Sequence, residues 1–149
     1  MRLWQIVVTL LLCAGQAAAQ TVTDGDTIKM DGTTYWLRGI DAPETKRDCP
    51  DGWTAGKAAT TYLYGLIRGH KMTCEAKDTD RYGRTVAICH ADGRDLGADI
   101  VRAGMAWAFV RYSRDYVDQE TEVKAAGLGV HARQCEKARD FRARLRDDR

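Results

Sequence analysis

Four carboxylates fall in two short strings, Asp24-Gly25-Asp26-Thr27 and Asp41-Ala42-Pro43-Glu44, and two arginines follow in a third, Asp80-Arg81-Tyr82-Gly83-Arg84. Carboxylates and backbone carbonyls are hard oxygen donors. Asp26 and Asp41 with the Ala42 carbonyl therefore offer an all-oxygen site suited to Ca²⁺ rather than to a metal that prefers thiolate or imidazole. Glu44, held one residue past Pro43, is a candidate general base for an attacking water. The planar guanidinium of Arg84 can grip a phosphate through a fork of hydrogen bonds and stabilise charge that develops on it. A cation, a base and a charge stabiliser are the parts that phosphodiester hydrolysis needs. Each string also has an ordinary reading on its own, as a turn, a strand exit and a hairpin tip.

The remaining metal-ligating types do not cluster. His70, His90 and His131 are scattered, no Cys-x-x-Cys pair exists, and the adjacent Cys89 and His90 point to opposite faces of a strand, so a zinc site is disfavoured. Arg2, an apolar run from Ile6 to Ala14 and the small residues Ala17-Ala18-Ala19 read as a secretory signal peptide cleaved after Ala19. The run is too short to span a bilayer. Export to a periplasm or to the outside of the cell is expected. Removing 19 of the 149 residues takes Arg2 and Cys13 and leaves 130 residues with Cys49, Cys74, Cys89 and Cys135. Four cysteines in an exported chain suggest two disulfides, with three possible connectivities. Cys74 and Cys89 flank an expected hairpin, which favours Cys74–Cys89 with Cys49–Cys135. The second bond would staple the carboxy-terminal segment to the loop after Pro43.

The elements that must position these residues are short. Thr27 to Met30 alternates, Asp31-Gly32 signals a turn, and Thr33 to Ile40 is rich in β-branched and aromatic residues, so two strands with a tight connection are predicted. Apolar positions 55, 58, 59, 62, 63, 66 and 67 make a helical stripe that stops at Gly69. Lys71 to Ala76 and Thr85 to His90 read as strands joined by Lys77 to Arg84. Leu96, Ile100 and Val101 mark a short helix ended by Gly104, Ala106 to Val110 a short extended stretch, and Asp115 to Leu128 a third helix with Tyr116, Val123 and Leu128 on its apolar side. Only Gln20 to Thr23 remain for a first strand. The whole reads as an α+β chain: a small five-stranded β-barrel with about three packed helices. A composition of 44% hydrophobic and 30% charged residues suits one ordinary globular domain, and a formal charge of +2 neither demands nor excludes a nucleic-acid partner. Trp53 and Trp107 are assigned to packing. The basic side chains from Arg133 to Arg149, Arg139 and Arg142 among them, are read as a solvated helix face of mixed charge that could add non-specific attraction to phosphates.

In this order and with these spacings, the three strings resemble the staphylococcal nuclease (thermonuclease) family, whose pattern runs Asp-Gly-Asp-Thr, Arg-Leu-x-Gly-Ile-Asp-x-Pro-Glu and Asp-x-Tyr-Gly-Arg. The resemblance covers roughly Val22 to Leu128. It implies an OB-type five-stranded barrel with three helices and a calcium-dependent phosphodiesterase acting on DNA and RNA as a monomer. Together with the signal reading, the chain is expected to divide into a signal peptide at 1–19, the nuclease-like domain at 20–130 and a charged segment at 131–149. By resemblance Asp24 joins the metal cluster as an outer partner, Arg81 and Tyr82 contact a neighbouring phosphate or base, and Tyr112 corresponds to an aromatic near the nucleotide.

One departure stands out. The family places a second catalytic arginine five residues before the Asp of Asp-x-Pro-Glu, and that position is Trp36. Arginine stands instead at Arg38, on the same strand face about 6.6 Å further along. Arg38 is a substitute that could lean towards the phosphate with altered geometry, and Trp36 is either a stacking platform for a base or a packing residue. A weakened metal-dependent endonuclease of low sequence preference is the leading expectation. Its rivals are a catalytically impaired binding module of the same fold and a disulfide-stapled extracellular interaction domain holding a structural ion.

Overall fold

The computed structural model describes residues 19–148, so the expected signal peptide falls, except for Ala19, outside the described residues. Five strands form the main sheet: β1 (Gln20–Asp24), β2 (Thr27–Met30), β3 (Thr33–Leu37), β5 (Met72–Thr79) and β6 (Thr85–Ala91). Their order is β1-β2-β3-β6-β5, and the two-residue β7 (Arg94–Asp95) pairs on β6. The β3–β6 pairing is parallel, with Leu37 opposite Ala87, while the neighbouring pairs are antiparallel. A second pairing joins β4 (Ile40–Asp41) to β8 (Trp107–Ala108). Four helices pack with these strands: α1 (Ala55–Ile67), α2 (Leu96–Arg102), α3 (Val117–Ala126) and α4 (Ala138–Asp147). The chain is α+β, as the sequence leads one to expect, with one helix more.

The helical stripe of α1 buries Ala59, Leu63 and Ile67 against Ile28, Leu37, Ile40 and Ala87 of the sheet and Val101 of α2. Two glycines let α1 come close to the motif loops. A Cβ on Gly25 would meet the Cβ atoms of Ala59 and Ala42, and one on Gly56 would collide with the Glu44 carbonyl. The Asp-Gly-Asp string is thus a close-approach site rather than only a turn. Asp95 caps α2 by accepting from the Ala98 N–H and also accepts from the Tyr116 hydroxyl, which ties α2 to the start of α3.

Both expected disulfides are present. Cys74 faces Cys89 across the β5–β6 ladder, and Cys49 joins Cys135, 86 residues away. Around the second bond lies a small satellite core of Trp107, Val130 and Ala138, flanked by Trp53 and Cys135.

Several boundaries differ from the sequence reading. The strand expected over Thr33 to Ile40 divides at Arg38-Gly39 into β3 and β4, which pair in different sheets. β5 runs on to Thr79: past an irregularity at Lys77, which has no partner on β6, Asp78 and Thr79 resume pairing with Val86 and Thr85 while their side chains stay in water. α3 is shorter than 115–128: Gly127 closes it in the left-handed conformation at φ 61°, so Leu128 leaves the apolar face and is 49% exposed. The charged tail forms α4 and is anchored rather than simply solvated: Ala138 is fully buried.

Candidate active site

β2 and β4 carry the first two carboxylates side by side. Asp26, at the head of β2, is 6% exposed; its Oδ2 accepts from the Ala42 N–H at 3.0 Å and its Oδ1 from the Thr27 hydroxyl at 2.9 Å. Burial pushes its carboxyl up to about 6, the negative charge of Asp41 adds to the rise, and the Ala42 N–H, the Thr27 hydroxyl and the Trp36 indole pull back. Asp41, at the end of β4, is 3% exposed, and its two oxygens accept from the Arg139 N–H and the Arg142 Nη2, each at 3.0 Å. Burial raises its carboxyl too. Arg142 and the Arg139 N–H oppose the rise, and Glu44 reinforces it.

Glu44 follows Pro43 and rests its backbone on Gly56. Its Oε1 accepts from the Arg142 Nη1 at 2.8 Å, while its Oε2 is buried with no partner among the described residues. Asp24 is held one step back: its Oδ1 accepts from the Thr45 N–H at 2.9 Å and lies 2.7 Å from the Thr45 hydroxyl. Asp24 therefore braces the residue next to Glu44.

Arg84 comes from the turn between β5 and β6. Asp80 organises that turn: its Oδ1 accepts from the Tyr82 and Arg84 N–H groups, and its Oδ2 from the Arg84 Nε at 2.7 Å. Burial pushes the Asp80 carboxyl up, but these donors outweigh it and hold the group below its ordinary value. The Arg84 guanidinium sits 5.1 Å from the Trp36 ring centroid and 5.8 Å from that of Tyr82. Tyr82 is 73% exposed and stacks with Arg81.

The departure resolves into two separate environments. Trp36 is 6% exposed, with its ring edge-on to Phe109 and Tyr112, so its surroundings are those of a packed residue. Arg38 does not join Arg84: its Nη1 pairs with Asp115 at 3.2 Å and its Nη2 donates to the Tyr112 carbonyl at 3.0 Å. It lines a cavity of about 540 Å³ with Lys77, Val86, Tyr112 and Asp115.

The oxygen donors suit a hard divalent cation. Burial raises the proton affinity of both Asp26 and Asp41, the charge of Asp41 adds to the rise at Asp26 and that of Glu44 to the rise at Asp41, and Glu44 keeps an orphaned oxygen, a set that positive charge would relieve. Among the described residues no three His, Cys, Asp or Glu side chains converge on one metal position, so carbonyl and water oxygens would have to complete the coordination.

Sequence reasoning misses two contributors: Asp80 stands there only as part of its string, and Arg142 only as one charge of a basic tail. A signal for Arg142 existed: the Cys49–Cys135 staple brings the tail to the loop after Pro43, and Arg142 follows Cys135 by only seven residues.

A family model described as "Staphylococcal nuclease homologue" matches residues 34–137, more than half of the chain. Among curated proteins, "Succinoglycan biosynthesis protein ExoI" of Rhizobium meliloti is 35% identical over 130 residues, covering 83% of this chain and 60% of that protein. An "Uncharacterized endonuclease" of Escherichia coli O157:H7 is 34% identical over 113 residues, covering 72% of this chain and 70% of its own length. "Probable staphylococcal-like nuclease CAN2" of Oryza sativa is 32% identical over 98 residues, 64% of this chain and 25% of that protein. The chain thus spans less than two thirds of the Rhizobium protein. Three ordered motifs, an α+β fold and the family match over residues 34–137 lead to one conclusion: the chain belongs to the staphylococcal nuclease family.

Proposed function

We propose that the protein is an exported, calcium-dependent phosphodiesterase that cleaves DNA and RNA with low sequence preference. The observation that carries this reading is the pairing of two buried, mutually repelling carboxylates, Asp26 and Asp41, with a Glu44 oxygen that is buried and unpartnered. A pure binding module has no use for such a base. The endonuclease and nuclease names of the E. coli and rice relatives support the same reaction class.

Asp26, Asp41 and the Ala42 carbonyl would hold the calcium ion, with Asp24 bracing the loop from behind. Bound there, the ion supplies positive charge to the phosphoryl oxygens. Glu44 Oε2 accepts the proton of the attacking water. Arg84 donates a fork of hydrogen bonds to the phosphate while Asp80 fixes its direction, so the guanidinium need not be ordered at the moment of reaction. Arg81, Tyr82 and Tyr112 offer contacts to neighbouring phosphates and bases. Trp36 in place of an arginine lowers the rate, and with Arg38 held by Asp115 its compensation is small.

Two disulfides favour an oxidising compartment, and no helix among the described residues is long and apolar enough to cross a membrane. The test is incubation of the oxidised 20–149 protein with plasmid DNA and with RNA, in calcium and in chelator, beside Glu44→Gln. Calcium-dependent cleavage lost in Glu44→Gln supports the proposal. Binding without cleavage in every condition would replace it with the impaired module that Trp36 keeps in play, and no binding at all with an interaction domain.

A further inference from the structure

Phosphoryl chemistry gains from more than one guanidinium, yet β3 presents Trp36 where its arginine is expected, and Arg38 is committed to Asp115 and the Tyr112 carbonyl. Arg142 stands elsewhere. Its fork lies across the two carboxylates with most to do in the reaction, one terminal nitrogen on Glu44 at 2.8 Å and the other on Asp41 at 3.0 Å. Only one hydrogen of each terminal nitrogen is used in this way. The Nε hydrogen and the second hydrogen on each terminal nitrogen have no acceptor among the described residues, and Glu44 Oε2 is left to its own task.

The surroundings of α4 are built to hold this side chain. Cys135 is bonded to Cys49 just before the helix, and Arg47, 7% exposed, donates to the Glu136 carbonyl and lies 4.3 Å from the Phe141 ring. Ala138 is fully buried, and the Arg139 N–H ends on Asp41. A charged helix that served only as a solvated surface would need none of these attachments.

We propose that Arg142 is a second phosphate-contacting arginine of the site, delivered by the stapled carboxy-terminal helix in place of the arginine absent from β3. The inference rests on the phosphodiesterase reading for its catalytic part and on geometry alone for its phosphate-binding part. Its ligand is the phosphodiester of a nucleic acid, gripped by the N–H hydrogens that Asp41 and Glu44 leave unused.

Affinity for a fluorescein-labelled oligothymidylate in saturating calcium is measured first in the Glu44→Gln background, whose amide oxygen can still accept from Arg142. Adding Arg142→Ala is expected to weaken binding about tenfold or more, the effect of one lost charge-assisted contact, with Arg142→Lys in between. In the otherwise unaltered chain, Arg142→Ala is expected to lower kcat about 10²-fold. Calcium affinity, read by tryptophan fluorescence, should be no weaker, and added guanidinium ion should restore part of kcat. Arg142→Gln, which retains the length of the side chain, repeats the measurement if the alanine variant unfolds. A rise in kcat with tighter calcium binding would make Arg142 an internal plug of the cation site and overturn the proposal, as would unchanged oligonucleotide affinity. Absence of cleavage by the unaltered chain, with affinity still dependent on Arg142, would sink the phosphodiesterase reading and leave the phosphate contact supported.

Discussion

Arg84 and Arg142 are placed by opposite means. Arg84 is placed locally: Asp80, four residues earlier, takes its Nε and its backbone N–H, and the turn needs nothing distant to hold its shape. Arg142 is placed globally, through partners 98 and 101 residues away and a disulfide closing 86 residues. Arg84 is therefore visible in a five-residue string, whereas Arg142 acquires meaning only when the tail folds back. The two disulfides repeat the contrast, one fastening a hairpin to itself and the other bringing a distant helix to the loop of Glu44.

The comparison can be broken at its local end with the largest effect. Arg84→Ala should reduce kcat about 10²–10³-fold in steady-state cleavage of a labelled oligonucleotide, while calcium affinity stays the same. The disulfides give the next effect. Loop-closure entropy favours the longer loop, so Cys49→Ser/Cys135→Ser should cost about 1.5 kcal/mol more in urea unfolding than Cys74→Ser/Cys89→Ser. Only the former should also lower kcat. Equal kinetic losses from both pairs would show that α4 serves stability alone.

A third measurement concerns the acidic side of the site. Asp26 has its carboxyl raised from 3.8 to about 6, so the fold prefers its protonated form. Its contribution to stability is complete below about 3.8 and is lost as the pH rises through about 6. Asp26→Asn should therefore stabilise the calcium-free protein at pH 7 by about 1–3 kcal/mol, with little gain at pH 3, and should abolish calcium binding. Thermal unfolding in chelator at the two pH values checks the sign. The smallest effect is expected at Arg38, whose pair with Asp115 is largely in water. Arg38→Ala should change stability by no more than about 1 kcal/mol and kcat by less than about tenfold. A larger kinetic loss would restore Arg38 as the substitute for the missing strand arginine.

Much of the fold was legible because its cues are local. Period-two alternation marked β2, β-branched and aromatic content marked β3, and the stripe from Ala55 to Ile67 gave α1 its observed ends. Reading failed where a single residue's backbone or a distant contact decided. Gly127 in the left-handed conformation turned Leu128 out of α3, and the Arg38 pairing with Asp115 preceded a helix that starts only at Val117. In the candidate site, Asp26, Asp41, Glu44 and Arg84 were visible as motif residues, since strand ends and a tight turn fix them. The roles of Gly25 and Gly56 are not legible in the sequence. Their requirement is space for Ala59, Ala42 and the Glu44 carbonyl, which no spacing rule reveals. The bonds from α4 to Asp41 and Glu44 were hidden for the same reason: they join residues that are neighbours only in space.

The most direct test of the site's chemistry is the initial rate of cleavage of a labelled single-stranded oligonucleotide at matched calcium occupancy, for the unaltered chain and for Glu44→Gln. Removing the base while leaving the carboxylates of Asp26 and Asp41 in place is expected to reduce the rate about 10²–10⁴-fold. Equal rates for the two proteins would contradict the assignment of Glu44 and, with it, the reading of this site as a phosphodiesterase centre.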